Sequence, residues 1–246
     1  YSNLFQTIPD LDWMRSKIVS YVKTDTIPHR TLIIYDSKNS STATYLKTAF
    51  PSASMMTSKT DNKGVEQFYL MLEDVQKALL PGRTIVFLES NNEGFVSNVT
   101  SMLNAMNGLT VIVDTKTEIQ RDILLMTTSN NRAFKGVNVS NYDLSNLHFQ
   151  YPATNYNMEL PSAFQEKYLN KFGTFPNKYA IRGFDLTMDL LLRLSKFGTL
   201  YESASDIQTS YIGNKFKYTL RPNGGYKNEA GFILKYENLE IIKVQD

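Results

Sequence analysis

From its amino end the chain alternates short apolar runs with amphipathic stretches. Leu11, Met14, Ile18, Val19 and Val22 recur three and four residues apart, which predicts a helix over 10–23. Arg30–Asp36, "RTLIIYD", is a short β-rich run closed by the polar "SKNSS", whose Ser and Asn residues suit the start of a helix over 41–50. Ser52–Ser58 reads as a second strand. Val65, Phe68, Leu72, Val75 and Leu79 share one helical face and predict a helix over 64–80. "RTIVFLE" (Arg83–Glu89) is a strand, followed by "SNNEG" and a helix to about Met106. "GLTVIVDT" (Gly108–Thr115) repeats the pattern, with a helix expected from Glu118. Nearly all-apolar strands belong to parallel sheets covered on both faces. Strand, polar loop and helix in alternation therefore predict an α/β fold, a doubly wound and mainly parallel sheet with right-handed crossovers.

The character changes after Asn141. Leu147–Asn157, "LHFQYPATNYN", is extended, aromatic and interrupted by proline. Helices are predicted over 161–172 and 177–197, then strands and turns from about Lys215, with Asn223-Gly224-Gly225 and Glu237-Asn238 as turn signals. The second helix carries Asp185 and Asp189 on one face, expected as solvated carboxylates. It also carries Phe184, Leu186, Met188, Leu190, Leu191 and Leu194, an apolar set that needs a partner.

Composition narrows the function classes. A chain of 246 residues, 42% hydrophobic, suits one globular unit of two lobes. A net charge of +2 from scattered Lys and Arg gives no nucleic-acid footprint. Without cysteine there is no disulfide, thiolate metal site or cysteine nucleophile. No apolar run approaches the ~20 residues of a membrane span. The start at Tyr1 reads as that of a processed or truncated piece of a longer chain. His29 and His148 read as surface or packing residues, and neither has a metal-type partner at helical spacing. The G-x-S-x-G elbow, the phosphate-binding G-x-x-x-x-G-K-[ST] and the dinucleotide G-x-G-x-x-G are all missing. No catalytic residue, metal or cofactor is predicted.

In open α/β sheets ligands bind beyond the carboxyl ends of the strands. The candidate ligand-binding residues are therefore Ser37, Asn39, Ser40 and Ser41 in the first loop, Glu89, Ser90, Asn91 and Asn92 in the second, and Asp114, Thr115 and Lys116 in the third. Their hydroxyls and amides, beside free N–H groups at helix starts, suit an anion or a carboxylate. The same residue types are also what any helix cap selects, and both readings stand.

The order of these motifs resembles the later two-thirds of a type I periplasmic binding protein, the family of the branched-chain amino-acid-binding proteins. "NLFQTIPDLDWMRSKIVSYV" (3–22) is similar to the segment entering that family's second lobe, and "TLIIYDSKNSSTATYLKTAF" (31–50) to its strand, Asp-containing loop and helix. Tyr168, Gly173, Pro176, Ala180 and Gly183-Phe184-Asp185 match its Tyr-x-x-x-x-Gly-x-x-Pro-x-x-x-Ala-x-x-Gly-Tyr-Asp pattern. "GGYKNEAGFILKYENLEII" (224–242) resembles its closing strand pair. The resemblance implies a second lobe made of 1–148 and 229–246. Residues 149–228 are then the hinge (Phe149, Gln150, Tyr151, Pro152) and helices of a mostly absent first lobe, onto which Gly183 lets its helix pack closely. It further implies a non-enzymatic, periplasmic or outer-membrane-anchored protein that binds a small polar solute or peptide and works with a membrane permease. The alternative it implies is a degenerate member acting as an envelope scaffold or regulator of a cell-wall synthase. Without the first lobe, the helix over 177–197 is expected to self-associate. The family's aromatic after the first second-lobe strand is replaced here by Asn39, Ser40 and Ser41, and Lys116 beside Asp114 opposes a ligand ammonium.

Overall fold

The computed structural model describes residues 3–112, 118–156 and 162–244. The first part runs β1 (Phe5–Gln6), α1 (Leu11–Lys23), β2 (Arg30–Tyr35), α2 (Ser40–Ala49), β3 (Ser54–Thr57), α3 (Leu72–Ala78), β4 (Gly82–Glu89) and α4 (Glu93–Met106). There follow β5 (Thr110–Ile112), β6 (Glu118–Met126), α5 (Asn141–Asn146), β7 (Gln150–Ala153), α6 (Ser162–Phe172), α7 (Lys178–Phe197) and α8 (Leu200–Ser203). The chain closes with β8 (Thr209–Ser210), β9 (Lys215–Phe216), β10 (Tyr218–Leu220), β11 (Tyr226–Asn228), β12 (Phe232–Glu237) and β13 (Glu240–Lys243). It divides into two compact units, residues 15–152 with 233–245, and residues 1–14 with 153–232. Among the described residues no helix is long and apolar enough to cross a membrane.

The larger unit is built on one sheet of order β13-β12-β7-β6-β4-β2-β3, with β5 added beside β6. Strands β3, β2, β4, β6 and β7 are parallel, and β12 and β13 form an antiparallel hairpin turning at Asn238 and Leu239, both at positive φ. Ile33, Ile85, Phe87, Leu124 and Met126 pack with Ile18, Val19 and Val22 of α1 and Ala43 and Leu46 of α2. The alternate positions Val86 and Leu88 point to the opposite face and are equally buried, so β4 is central. Chain order gives the function-bearing detail. From β2 the chain steps to β3 on one side, then crosses back to β4 and β6 on the other, so the switch point lies between β2 and β4.

Two sequence expectations fail here, the first for a local reason. The helix expected over 64–80 is only Leu72–Ala78. Upstream, the Asp61 carboxylate accepts from the Lys63 and Val65 amides, Gly64 turns at φ +77, and Thr60 bridges Glu66 in antiparallel sense. A side chain that takes backbone amides in this way competes with the helix. The helix expected from Glu118 is β6, a parallel partner of β4, and the described residues of the apolar run 108–115 form β5, an outer antiparallel strand whose Ile112 is exposed.

The smaller unit holds the sheet β1-β11-β10, the ladder β8-β9 and helices α6 to α8. Residues 3–14, expected with the larger lobe, belong here because β1 pairs in parallel with β11. Its core includes Phe216, Tyr218 and Ala204, with Phe5, Leu186, Tyr211 and Tyr226 packed against them. Asp185 and Asp189, expected in solvent, are fully buried together with Arg193. Arg193 Nε donates to both Asp189 oxygens at 3.0 and 2.9 Å, and Nη1 donates to Ser203 O at 2.6 Å. Asp185 accepts from Gly213 N at 2.8 Å and Asn214 Nδ2 at 2.9 Å. A Cβ built on Gly183 meets nothing within 4 Å, so the close approach expected there is not seen. Phe184, Met188, Leu191 and Leu194 are exposed.

Candidate functional site

The site lies in the larger unit, where β2, β4 and β6 end. Each strand runs out of apolar residues and passes into a polar loop: Asp36–Asn39, Ser90–Asn92 and Thr127–Asn131. Buried carboxylates tie the loops in series. Asp36, 1% exposed, accepts from Asn39 N and Nδ2 within its own loop, from Ser90 Oγ at 2.6 Å and from Asn91 N at 3.3 Å. Glu89, 4% exposed, accepts from Thr128 N at 2.6 Å, Thr128 Oγ1 at 2.8 Å and Thr127 Oγ1 at 3.3 Å. Asn131 closes the series, its Nδ2 donating to Ser90 O and Asn91 Oδ1, both at 2.8 Å.

Glu89 and a third carboxylate, Glu66, sit in different electrostatic settings. Burial pushes the Glu89 carboxyl from its ordinary 4.5 up to about 7, against the opposing pull of the Thr128 and Thr127 hydrogen bonds. Glu66, reaching in from the loop after β3, accepts from Ser37 N at 2.8 Å, from the Ser37 hydroxyl at 2.5 Å and from the Ser58 hydroxyl. Burial raises its pKa, but the bonds from Ser37 and Ser58 outweigh it and hold the carboxyl below its ordinary value.

The expected residues fare differently. Ser37, Asn39, Glu89, Ser90, Asn91 and Asn92 come together at this edge through the bonds above, and Asn92 Oδ1 caps α4 by accepting from Phe95 N at 2.9 Å. Ser40 and Ser41 open α2 with exposed side chains. Asp114, Thr115 and Lys116 lie outside the described residues. Their described flanks, Ile112 and Glu118, pair with each other three residues before Arg121, which faces the first residue of β4. The third loop at the carboxyl ends is Thr127–Asn131, which the sequence reading passed over along with Asp36 and Glu66. Its signal is the apolar "ILLM" stopped by "TTSNN", the same strand-to-loop change that marks the first two loops. In that loop Asn130 Oδ1 is buried with no hydrogen-bond partner in the structure. Phe149, Gln150, Tyr151 and Pro152 are buried in the larger unit just before the chain leaves it, with Phe149 stacked on Phe134 at 4.9 Å and tilted against Tyr151 and Tyr236.

Hydroxyls, amides and backbone N–H groups converge on one edge, and no group of three or more His, Asp or Glu among the described residues could hold a metal ion. His29 Nδ1 lies 2.9 Å from Ile27 O, and His148 lies 3.7 Å from Glu237.

Solved structures of similar fold include two substrate-binding proteins. One similar structure is an ABC transporter substrate-binding protein from Desulfitobacterium hafniense in complex with Leu. It is 14% identical with a TM-score of 0.54, over 99% of this chain and 68% of that one. A second structure of an ABC transporter substrate-binding protein from that organism is 15% identical with a TM-score of 0.52, over 98% and 67% of the two chains. The fold is thus that of the type I periplasmic-binding-protein-like substrate-binding proteins, of which the chain spans about two thirds. No protein-family model matches the chain, and no curated sequence is significantly similar to it.

Proposed function

We propose that this chain is the larger part of a non-enzymatic, extracytoplasmic solute-binding protein that works with a membrane permease. Its solute, a small polar molecule or short peptide, contacts the loops after β2, β4 and β6 at Ser37–Ser41, Ser90–Asn92 and Thr127–Asn131. The observation that carries this reading is the position of those loops at the switch point between β2 and β4, cross-linked by the buried Asp36 and Glu89. Such ties hold the outer amides and hydroxyls in place before a ligand arrives, which reduces the ordering cost of binding. The Leu bound to one of the similar proteins supports an amino-acid-sized solute. The stretch Phe149–Pro152 is the proposed hinge. The exposed Phe184, Met188, Leu191 and Leu194 of α7 are the proposed self-association face.

A thermal-shift screen of the chain against amino acids, short peptides and muropeptides tests the reading. Saturable stabilisation that disappears in Asn91→Ala and Asn130→Ala is expected, because a ligand that binds only the folded state raises its melting temperature. Silence across the panel at millimolar concentration overturns it. One observation favours a second reading: the donors of Ser37 are already taken by Glu66. A groove satisfied from within suits an envelope module that engages a cell-wall synthase through its surface, and capture of such a synthase by a chain deaf to every solute distinguishes it.

A further inference from the structure

Residues 59–71 leave the carboxyl end of β3 and return to α3 as an exposed strap. The strap is a small hairpin: Gln67 N donates to Lys59 O at 2.8 Å, Lys59 N to Tyr69 O at 3.0 Å, and the chain turns over Asp61–Gly64. Near its two ends it is tied by the Lys59–Asp74 ion pair at 2.6 Å and by Leu70 N donating to Asn98 Oδ1 at 3.0 Å. Between these ties Glu66 reaches across the ends of β2 and β3 and takes three donors, Ser37 N, Ser37 Oγ and Ser58 Oγ. Two residues later Phe68 stands at φ +50, in the left-handed region that L side chains disfavour. A strained residue beside the one charged contact that the middle of the strap makes, with the Lys59–Asp74 pair anchoring its base, is the arrangement of a latch.

We propose that Glu66 is an internal occupant of a carboxylate subsite, and that residues 59–71 are a strap latched by it, opened when a solute's own carboxylate takes the Ser37 and Ser58 donors. The proposal rests on the solute-binding reading above and adds to it a solute class and a gate. One backbone N–H and two hydroxyls are the donor set a free carboxylate requires, and the exchange swaps one carboxylate for another on the same donors. The strap is exposed, so Glu66 regains water on release. Two carboxylates cannot share the donors without strong like-charge repulsion, which makes occupancy exclusive. A tethered competitor also acts at an effective concentration of about millimolar or more. Bare anions are therefore turned away, and only a solute with further contacts, at Asn91 and Asn130 for example, displaces the latch.

The test is isothermal titration of L-leucine, glycylglycine and acetate into the unaltered chain, Glu66→Ala, Glu66→Gln and the double variant Glu66→Ala/Ser37→Ala. It is paired with hydrogen exchange of amides 60–69, and circular dichroism verifies each fold. Removing a charge-assisted competitor is expected to tighten an amino-acid or peptide probe by about tenfold to a hundredfold in Glu66→Ala. Weak acetate binding should appear in that variant alone, and an intermediate gain in Glu66→Gln. The gain should shrink in the double variant, which keeps Ser37 N and Ser58 Oγ but has lost one of the three donors. In the unaltered chain a bound probe should speed exchange in the strap, the reverse of the protection that ordinary binding gives. If Glu66→Ala binds the probes no better than the unaltered chain, or if binding protects the strap, the latch is wrong while the solute-binding reading stands. If no probe binds any folded variant, the solute-binding reading fails and the latch falls with it.

Discussion

Glu89 offers a sharp test of the electrostatics at the sheet edge. Its folded pKa, about 7, lies above the ordinary value of 4.5 that applies when the chain is unfolded. Below 4.5 both states hold the proton. As pH rises from there, the unfolded chain releases it first, so unfolding gains and stability falls until the folded carboxyl ionises near 7. The full difference corresponds to roughly 3 kcal/mol. Glu89→Gln removes the ionisation and keeps the geometry. The amide oxygen can still accept from Thr128 N and Thr127 Oγ1, and the amide nitrogen can donate to Thr128 Oγ1, whose hydroxyl reverses its role. Urea unfolding of both proteins across the range from pH 5 to pH 9 reads the effect as the gap between two curves, free of every other titrating group. The variant should gain on the parent by about 2 to 3 kcal/mol between those limits, with most of the change below pH 7. Parallel curves would refute the reasoning and mean that hydrogen bonding fully compensates the burial of the charge.

Three further outcomes follow from the smaller unit. Arg193→Met leaves the buried Asp189 charge without its cation, beside the Thr209 hydroxyl, and should cost about 3 to 5 kcal/mol in chemical denaturation; a loss under 1 kcal/mol would mean that water reaches the carboxylate. Gly231→Ala places a Cβ 2.5 Å from Trp13 Cη2 and 2.6 Å from Ala153 O, and because the latter is backbone the clash cannot be rotated away; a loss of about 1 to 3 kcal/mol is expected. If α7 is a self-association face, Met188→Glu with Leu191→Glu should convert a sedimenting oligomer to monomer without lowering the melting temperature, since both positions are exposed; a parent already monomeric at tens of micromolar, on the order of the concentrations at which weak interfaces fill, removes that role.

Much of the larger unit was legible because burial on both faces leaves an unbroken apolar signature. Residues 30–35 and 82–89 are strands in the structure as their composition required, and helices α1, α2 and α4 start and stop near their predicted ends. The failures share a cause. A run of apolar residues signals burial without saying in which period, so the Val65-to-Leu79 spacing was taken for helix although Asp61 and Gly64 had already committed the backbone to a turn. At 108–126 two apolar runs follow in quick succession, and the choice between them decides which loop reaches the ligand edge. The first, Gly108–Thr115, repeats the strand pattern of 83–89, and a helix is expected from Glu118. The second, Ile123–Met126, is the one whose neighbours in β4 need a parallel partner, and that information is non-local. The candidate site shows the same effect: the polar loops after β2 and β4 carry expected residues, and the loop after β6, Thr127–Asn131, carries none. Glu66 was beyond reach for another reason. Its role comes from a contact with Ser37 twenty-nine positions away, and no local pattern marks it.

Helix α7 carries the same lesson further, because its two faces are reversed from the usual rule. Its buried side presents Asp185, Asp189 and Arg193, and its exposed side presents Phe184, Met188, Leu191 and Leu194. The arrangement is physically sound on the inside. Asp189 and Arg193 stand one turn apart, so the pair forms within the helix, and the remaining guanidinium donors are spent on the carbonyls of Ser203, Ile207 and Phe216 while its plane lies 5.0 Å from the Tyr218 ring. Asp185 is satisfied by two backbone amides and a side-chain amide. With each charge compensated, the desolvation cost of the interior is met by hydrogen bonds that fix β8, β9 and α8 against the helix in one register. Of the apolar stripe, Phe184 packs on Phe164 of α6 at 4.9 Å, and Met188, Leu191 and Leu194 are exposed. The proposed self-association would draw on this exposed stripe, while the polar contacts of the inner side hold the helix in its own unit.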